Sequence, residues 1–526
     1  MPLSPLRALA PLLLVPGVPA QTSDLGRIEF PSTGSEQAQE PFLRGVLLLH
    51  SFEYEDAREE FRRAQGADPG FALAYWGEAL THSHPLWREE DVTAARAALA
   101  RLAPTPEERA AKAGTERERR FLASVERLFG EGDRIVRHRA YCAALGSLWS
   151  DDPGDLEAGA FHALSILGTS LGVRDERVYM RAAAVGEEVY RRDPRHPGAL
   201  HYLIHCYDDP VHAPLGLRMA REYDQVAPAA AHALHMPSHI YFALGMWDEG
   251  VAANVRSAAA ADARRERKGL GIDARGWHSL LWLHYAYLQQ GRTAAAAELL
   301  EEARRDADAA RSERTRYHLA LMRAAHLIDT RDWDGPAARI EIELEGLTAP
   351  TVAADHCVRG FAALGRGERG LAEEILASMR GVSAWDGVPV PGATLASCCA
   401  PASAVDDLVS APGRMAAEVM ARELEGAIRL AEGEERAGLE LLRGAAALED
   451  EMGFDFGPPL VVLPAHELLG EILLERDDPR AAAAEFEAAL GRAPGRARAL
   501  HGLARAEAAR AAERREEDGE PGAVPR

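Results

Sequence analysis

The sequence predicts an all-α protein, built as a superhelical solenoid of stacked helical hairpins. Hydrophobic residues make up 47% of the 526 residues, yet aromatic residues make up only 6%. Alanine, leucine, arginine and glutamate dominate the composition, and all four are good or fair helix formers. No stretch of useful length alternates apolar and polar residues as a half-buried strand would. A pattern of small and aromatic residues instead recurs at fixed spacing.

The first residues predict an export signal over residues 1–20. Arg7 precedes a short apolar run, Leu9 to Val15, and Val18-Pro19-Ala20 has the small-residue spacing of a cleavage site. The run is too short to span a bilayer, and we expect no membrane span elsewhere. The mature protein is then exported, periplasmic or secreted, with residues 21–40 as a flexible leader. A wrongly assigned start codon is the alternative, because prolines interrupt the apolar segment.

One hairpin is recognisable residue by residue near the N-terminus. Gly45 stands where two helices need a small side chain to approach closely, and Ala57, Phe61 and Ala64 then share one face of the next helix, which Pro69 ends. The same pattern returns near the C-terminus as Gly470, Ala482, Phe486, Ala489 and Pro494. A single hairpin cannot bury its own apolar stripe, so successive hairpins are expected to stack.

This succession of a small residue, A-x3-F and proline resembles the tetratricopeptide repeat. The resemblance covers most of residues 41–510 and implies roughly eight to ten hairpins. It divides the chain into an N-terminal solenoid (41–380), a Gly/Pro/Ser-rich linker or inserted loop (381–413), C-terminal repeats (414–512) and a disordered charged tail (513–526). More narrowly, the strings Ala74-Tyr75-Trp76-Gly77, His84-Pro85-Leu86-Trp87 and His235-Met236-Pro237-Ser238-His239-Ile240-Tyr241 resemble a group of bacterial tetratricopeptide-repeat proteins, which implies no reaction.

Two histidine pairs are separated by one repeat length. His201 and His205 recur as His235 and His239, each displaced by 34 residues, which is the tetratricopeptide period. An i,i+4 pair lies on one helix face, so stacked hairpins would bring the two pairs together. We therefore predict these four histidines as candidate ligands of one transition-metal ion. Imidazole suits zinc, copper or nickel better than magnesium or calcium.

Other polar residues are predicted to line a ligand groove. In tetratricopeptide folds the first helix of each hairpin lines the concave surface, and the resemblance implies the same here. The predicted lining residues are Glu78, His82, His84, Asp208, Asp209, His212, His232, His278 and His318. Asp208, Asp209 and His212 follow the first histidine pair and would act as ligands or as hydrogen-bond acceptors behind them. The alternatives are histidines that bind a peptide or anionic ligand without metal, or that are simply buried.

Charge and cysteine content exclude other classes. The formal charge of −22 argues against a nucleic-acid partner, because phosphate binding needs clustered cations. Five scattered cysteines are too few for a disulfide scaffold. The sequence thus favours an exported scaffold that binds a peptide, protein or small ligand in a histidine-lined groove, with or without a transition metal. The alternative is a metal-dependent enzyme in which the four histidines hold the ion and Asp208 or Glu78 assists.

Overall fold

The fold is an all-α superhelical solenoid. The structure, a computed structural model, describes residues 25–517 except 88, 171–173, 384–406 and 455–456. Within these residues the only strands are two of two residues each, β1 (Ser83–His84) and β2 (Glu89–Glu90), paired antiparallel. None of the described helices is long and apolar enough to cross a membrane.

The first half of the chain forms thirteen helices. They are α1 Glu36–His50, α2 Tyr54–Ala67, α3 Ala72–Leu80, α4 Val92–Leu102, α5 Pro106–Ala110, α6 Glu116–Leu128, α7 Arg134–Asp151, α8 Leu156–Leu167, α9 Glu176–Arg192, α10 Pro197–Cys206, α11 Ala213–Val226, α12 Ala231–His235 and α13 Pro237–Ala243.

The second half continues with longer helices. They are α14 Trp247–Lys268, α15 Trp277–Gln289, α16 Thr293–Ala310, α17 Glu313–Thr330, α18 Ala349–Gly365, α19 Arg369–Ser383, α20 Asp407–Ala431, α21 Glu435–Glu451, α22 Ala465–Glu475, α23 Pro479–Arg492 and α24 Ala497–Glu517. Two short 3-10 turns lie at Ile272–Ala274 and Pro336–Arg339.

Glycine–phenylalanine contacts hold the hairpins together at both ends of the solenoid. Phe61 of α2 packs against Gly45 of α1 and Gly77 of α3, and a Cβ atom on Gly45 would lie 2.8 Å from its ring. Phe486 of α23 lies in the same way between Gly470 of α22 and Gly502 of α24. The tetratricopeptide spacing predicted from the sequence is therefore confirmed as a packing arrangement.

Two turns between helices use glycine for its backbone freedom. Gly245 and Gly291 both have φ of +68°, in the left-handed region where a side chain clashes with the backbone. Each ends one helix and lets the chain reverse into the next.

The solenoid folds back on itself at both ends. Helix α1 contacts α10, and the indole N–H of Trp247 donates to the carbonyl of Gly495 at 2.9 Å. Arg496 is fully buried and donates to the hydroxyl of Tyr285 at 2.8 Å. Two apolar clusters result, one ending at Tyr241 and the other beginning at Phe242.

The predicted flexible leader is wrong from residue 25 onward. Leu25 and Phe30 are buried, with exposed fractions of 3% and 4%, and the ring of Phe30 lies 5.2 Å from Phe42 and 5.1 Å from Phe121. Burying these apolar side chains offsets the cost of ordering the segment. Residues 1–20, the predicted export signal, lie outside the described residues.

The predicted linker and tail are shorter than expected. Helix α19 extends to Ser383 and α20 begins at Asp407, so only 384–406 lies outside the described residues. Helix α20 packs directly on α18 and α19, so the described helices on the two sides of this segment are in contact. Helix α24 runs to Glu517, so the first five residues of the predicted tail are helical. Their alanine, arginine and glutamate neighbours favour a helix.

Overfilling the glycine contacts should destabilise the fold. We expect Gly45→Leu and Gly470→Leu to lower the free energy of unfolding by about 1–3 kcal/mol each, because the new side chain meets the ring of Phe61 or Phe486. Thermal or urea unfolding measures this. Gly66→Leu is the matched control, because no atom lies within 4 Å of a Cβ atom built there. Equal stability of Gly45→Leu and Gly66→Leu would contradict the packing described.

The free energy of unfolding should also decrease as the pH is lowered, because buried histidines stay neutral in the folded chain. Both ring nitrogens of His284 are buried without a hydrogen-bond partner, and burial lowers its pKa well below the usual 6.5. Between the two values the unfolded chain takes up a proton and the folded chain does not. The free energy of unfolding is therefore complete above pH 6.5 and falls as the pH drops, by about 1.4 kcal/mol per pH unit for one such histidine.

Comparison with a His284→Leu variant isolates this contribution. Chelator-treated protein and variant are unfolded with urea at several pH values from 7.5 to 5. The variant should show a shallower loss of stability below pH 6.5. Parallel curves would mean that His284 is protonated in the folded chain.

Candidate metal centre

Three neighbouring stretches of helix carry six histidines into one buried region. His201 and His205 lie on α10, and His278 lies on α15. His232, His235 and His239 lie on α12 and α13, which are separated at Met236 because Pro237 cannot donate a backbone hydrogen bond. Met236 itself keeps helical dihedrals. His235 and His239 therefore still face the same side.

These six histidines form two sets of three. The first set, which we call triad A, is His201, His205 and His232. The second, triad B, is His235, His239 and His278. Within each set one ring nitrogen from every residue lies within 4.8 Å of the others. The four predicted histidines are thus brought close together, but as members of two sets and not as one tetrahedral site.

Triad B presents unprotonated nitrogens to one another. The Nδ1–H of His235 donates to Oδ1 of Asn254 at 2.7 Å, and the amide is oriented by its own donation to the Gly250 carbonyl. The Nδ1–H of His239 donates to the carboxylate of Asp208 at 2.5 Å. In neutral rings both Nε2 atoms then carry lone pairs. These two Nε2 atoms face each other at 3.0 Å.

Two lone pairs at this distance repel unless a cation lies between them. Ligand nitrogens of a tetrahedral ion at 2.0–2.1 Å are about 3.3 Å apart, close to the observed separation. His278 completes the set, since its ring lies 4.3 Å from that of His235 and neither of its nitrogens has a hydrogen-bond partner. The arrangement matches a metal site with three imidazole ligands.

In triad A one ring has its tautomer fixed in the same way. The Nδ1–H of His201 donates to the backbone carbonyl of His50 at 2.6 Å, which leaves Nε2 as the free lone pair. That atom lies 3.1 Å from Nε2 of His205 and 3.2 Å from Nε2 of His232. Three Nε2 atoms thus converge on one point.

Burial keeps most of these imidazoles neutral. His201, His205, His235 and His278 are all buried, and this burial, together with the charge of neighbouring histidines, lowers the pKa of each well below the usual 6.5. Neutral imidazole is the form that binds a metal.

A third set, His50, Glu157 and His196, has a different construction. His50 and His196 each donate from Nε2 to the Glu157 carboxylate, at 2.8 and 3.1 Å. The remaining nitrogens accept from the Tyr202 hydroxyl and the Ala199 backbone N–H. Burial alone would raise the pKa of Glu157, but the two histidines lower it to about 2. Every ring nitrogen is satisfied, so this set is structural and needs no ion.

Aromatic rings cover both triads. Phe52 lies 4.3 Å from His201 and 5.5 Å from His232, measured between ring centroids, and has a φ of +55°. Such a backbone conformation costs on the order of 1 kcal/mol for a residue other than glycine. Trp282 lies 4.8 Å from His235 and 4.5 Å from His239. Water is thereby largely excluded from one side of the centre.

The centre also borders a cleft of about 530 Å³, which Phe52 lines as well. His232 of triad A and both His235 and His278 of triad B form part of its floor. Its walls carry aromatic and charged side chains, among them Tyr54, Trp87, Trp277, Glu53 and Arg314. Burial raises the pKa of Glu53, whose carboxylate accepts the backbone N–H of His232. Both triads can therefore be reached from one opening.

Some predicted groove residues lie at this cleft or behind the triads. His232 and His278 are triad members, and His84 lines the cleft, stacked on Tyr54 at 4.0 Å. Asp208 is the acceptor behind His239. His318 donates from Nδ1 to the Arg314 carbonyl and belongs to neither triad.

Other predicted groove residues are engaged elsewhere. Glu78 is fully buried in ion pairs with Arg62 and Arg101. Asp209 binds Arg174 and His212. His82 is not among the cleft residues, and burial, then the charge of Arg58, lowers its pKa to about 4. Local ion pairs and packing thus keep Glu78, His212 and His82 away from this cleft, while Asp209 lines a different pocket beside Asp208.

Sequence reasoning missed Asn254, the His50 carbonyl and Glu53. Asn254 is the one asparagine of the alanine-rich helix α14, and it is buried. An isolated amide in such a helix could have indicated a hydrogen-bond partner for a buried polar group. The His50 carbonyl carries no side-chain signal at all. Glu53 is one of several glutamates at the start of α2, and only the tertiary structure distinguishes it.

No protein-family model and no curated protein matches this sequence. Several solved structures have a similar course of the chain. One is the APC/C hetero-tetramer Cut9–Hcn1, which is 11% identical in sequence and has a TM-score of 0.36; the match covers 90% of this chain and 77% of that chain. Yeast Tom70 has 12% identity, 93% coverage of both chains and a TM-score of 0.32. The human IFIT1 dimer with m7Gppp-AAAA has 12% identity, 92% coverage of both chains and a TM-score of 0.37. Likeness at this level supports no functional conclusion.

Proposed function

We propose that this protein is a tetratricopeptide-like scaffold that binds a transition metal in its histidine triads and a ligand in the cleft above them. The observation that carries the proposal is the pair of Nε2 atoms of His235 and His239, 3.0 Å apart. Both rings have their Nδ1 proton held outside the centre, by Asn254 and Asp208. A metal ion explains this arrangement and a hydrogen bond between neutral rings does not.

The donor set restricts the kind of metal. All six inward-facing donors are imidazole nitrogens, which suit zinc, copper or nickel. Magnesium and calcium require oxygen ligands. Acceptors behind the ligands, such as Asp208 and the His50 carbonyl, are typical of protein metal sites because they fix the tautomer.

The cleft fits a small ligand or the side chain of a peptide. Its volume of about 530 Å³ lies within the range of small-molecule sites. Tyr54, Trp87 and Trp277 offer aromatic surfaces. The Nε–H of Arg314 is buried in the wall without an acceptor, so a carboxylate or phosphate on the ligand has a donor available. An anionic ligand with an aromatic or apolar part is the best match.

A metal-dependent enzyme is the second candidate. Each triad supplies three protein ligands, and three ligands with one open position are characteristic of catalytic zinc sites. Glu53 lies at the cleft beside His232, and its raised pKa suits a proton acceptor. Glu78, the carboxylate predicted from sequence, is held in ion pairs and Asp208 is held by His239.

Metal analysis of the purified chain tests the proposal. Protein prepared without a histidine tag should contain a stoichiometric transition metal by mass spectrometry. A His201→Ala/His235→Ala double variant should lose it, because one ligand is removed from each triad. His284→Leu should retain it, because His284 is buried on the same helix as His278 but belongs to neither triad. A metal content at background in the parent protein would refute the proposal.

Removing the acceptor behind His239 should weaken metal binding without removing a ligand. We expect Asp208→Ala to raise the metal dissociation constant about 10- to 100-fold, measured by competition with a chromogenic chelator. Asp209→Ala is the matched control, because its carboxylate binds Arg174 and His212 and contacts neither triad. Equal effects of the two substitutions would show that Asp208 has no special part in the centre.

A further inference from the structure

The two triads cannot share one ion. Ligands about 2.1 Å from one metal ion lie at most about 4.2 Å apart. The ring nitrogens of the described residues nevertheless fall into separate sets, and no histidine of one triad joins the other within the wider limit of 4.8 Å. Each set is complete by itself, with three converging nitrogens.

The triads are direct neighbours. The ring centroids of His205 and His239 are 5.6 Å apart, and those of His232 and His235 are 6.2 Å apart. His232 and His235 also belong to one turn of chain, since only Ala233 and Leu234 lie between them. Two ions bound in these triads would consequently be adjacent, with no protein layer between them.

We infer that the triads hold two transition-metal ions side by side, as a six-histidine dinuclear centre, and that both ions are copper. This inference rests on the proposed metal-binding function. It assigns one ion to His201, His205 and His232, and the other to His235, His239 and His278.

The charge of the surroundings favours copper. Six neutral imidazoles contribute no negative charge, and Asp208 supplies one carboxylate bonded to a triad ring. Two divalent ions would place four positive charges in this buried region, which is costly. Copper can bind as a monovalent ion, which halves that charge, and as a divalent ion it binds nitrogen donors more tightly than zinc or nickel.

Both ions would be open to the same ligand. Members of both triads form the floor of the cleft, so the vacant coordination positions face one space. A small anion entering this space can bind both ions at once. Azide is a suitable probe, because it bridges neighbouring copper(II) ions and couples their unpaired spins.

The experiment counts the ions and tests their proximity. The full chain is stripped with chelator, loaded with copper(II), desalted and measured by mass spectrometry and electron paramagnetic resonance. We expect two copper ions per chain in the parent protein, and one in each of the variants His201→Ala and His278→Leu. His284→Leu should still bind two. Circular dichroism confirms that each variant is folded, and His205→Gln or His239→Gln replaces a variant that is not.

Spin counting supplies the second measurement. With azide, the parent protein should show an integrated copper(II) signal well below two spins, because the spins couple. Each single-triad variant should show one full, uncoupled spin. Two full spins in the parent protein would overturn the adjacency of the ions.

The ion count distinguishes failure of this inference from failure of the proposed function. One ion per parent chain would overturn the dinuclear centre while leaving the metal-binding function intact. No stoichiometric ion would overturn both. Two zinc ions retained in preference to copper would support the pair and overturn the assignment to copper.

Discussion

The Nδ1–H groups of His201, His235 and His239 are each held by an acceptor outside the centre, namely a carbonyl, an amide oxygen and a carboxylate. Because these protons are fixed, the opposite nitrogen of every ring is a lone pair directed inward. Burial lowers the pKa of His201 and His235 well below the usual 6.5 and so keeps these two rings neutral. The aromatic rings and the cleft are arranged around these inward-facing nitrogens.

The acceptors come from separate parts of the solenoid. The His50 carbonyl ends α1, Asn254 lies in α14, and Asp208 follows α10. They meet because α1 folds back on α10 and because successive hairpins stack. The centre therefore lies where the two apolar clusters meet, next to the junction of Tyr241 and Phe242. Stacking of the repeats sets the spacing between the helices that carry the histidines. The folded-back ends of the solenoid enclose the centre.

Much of this could be predicted from sequence, for definite physical reasons. The contact of Phe61 with Gly45 and that of Phe486 with Gly470 follow from local spacing, and the 34-residue displacement places the two histidine pairs together. The division into triads could not be predicted, because His232 and His278 reach their partners only through the crossing of neighbouring helices. Glu78 was misassigned because Arg101, which pairs with it, approaches from a different helix.

The hydrogen bond from His201 to the His50 carbonyl joins residues 151 positions apart. The last imidazole, His278, lies further along the chain still. A growing chain thus cannot complete the centre until the helices from α1 to α15 have packed together. A metal ion would then bind late, after folding, in contrast to zinc fingers, whose ion drives their folding. A bound ion would stabilise the completed superhelix, because it binds only the folded chain, and would slow its opening from either end.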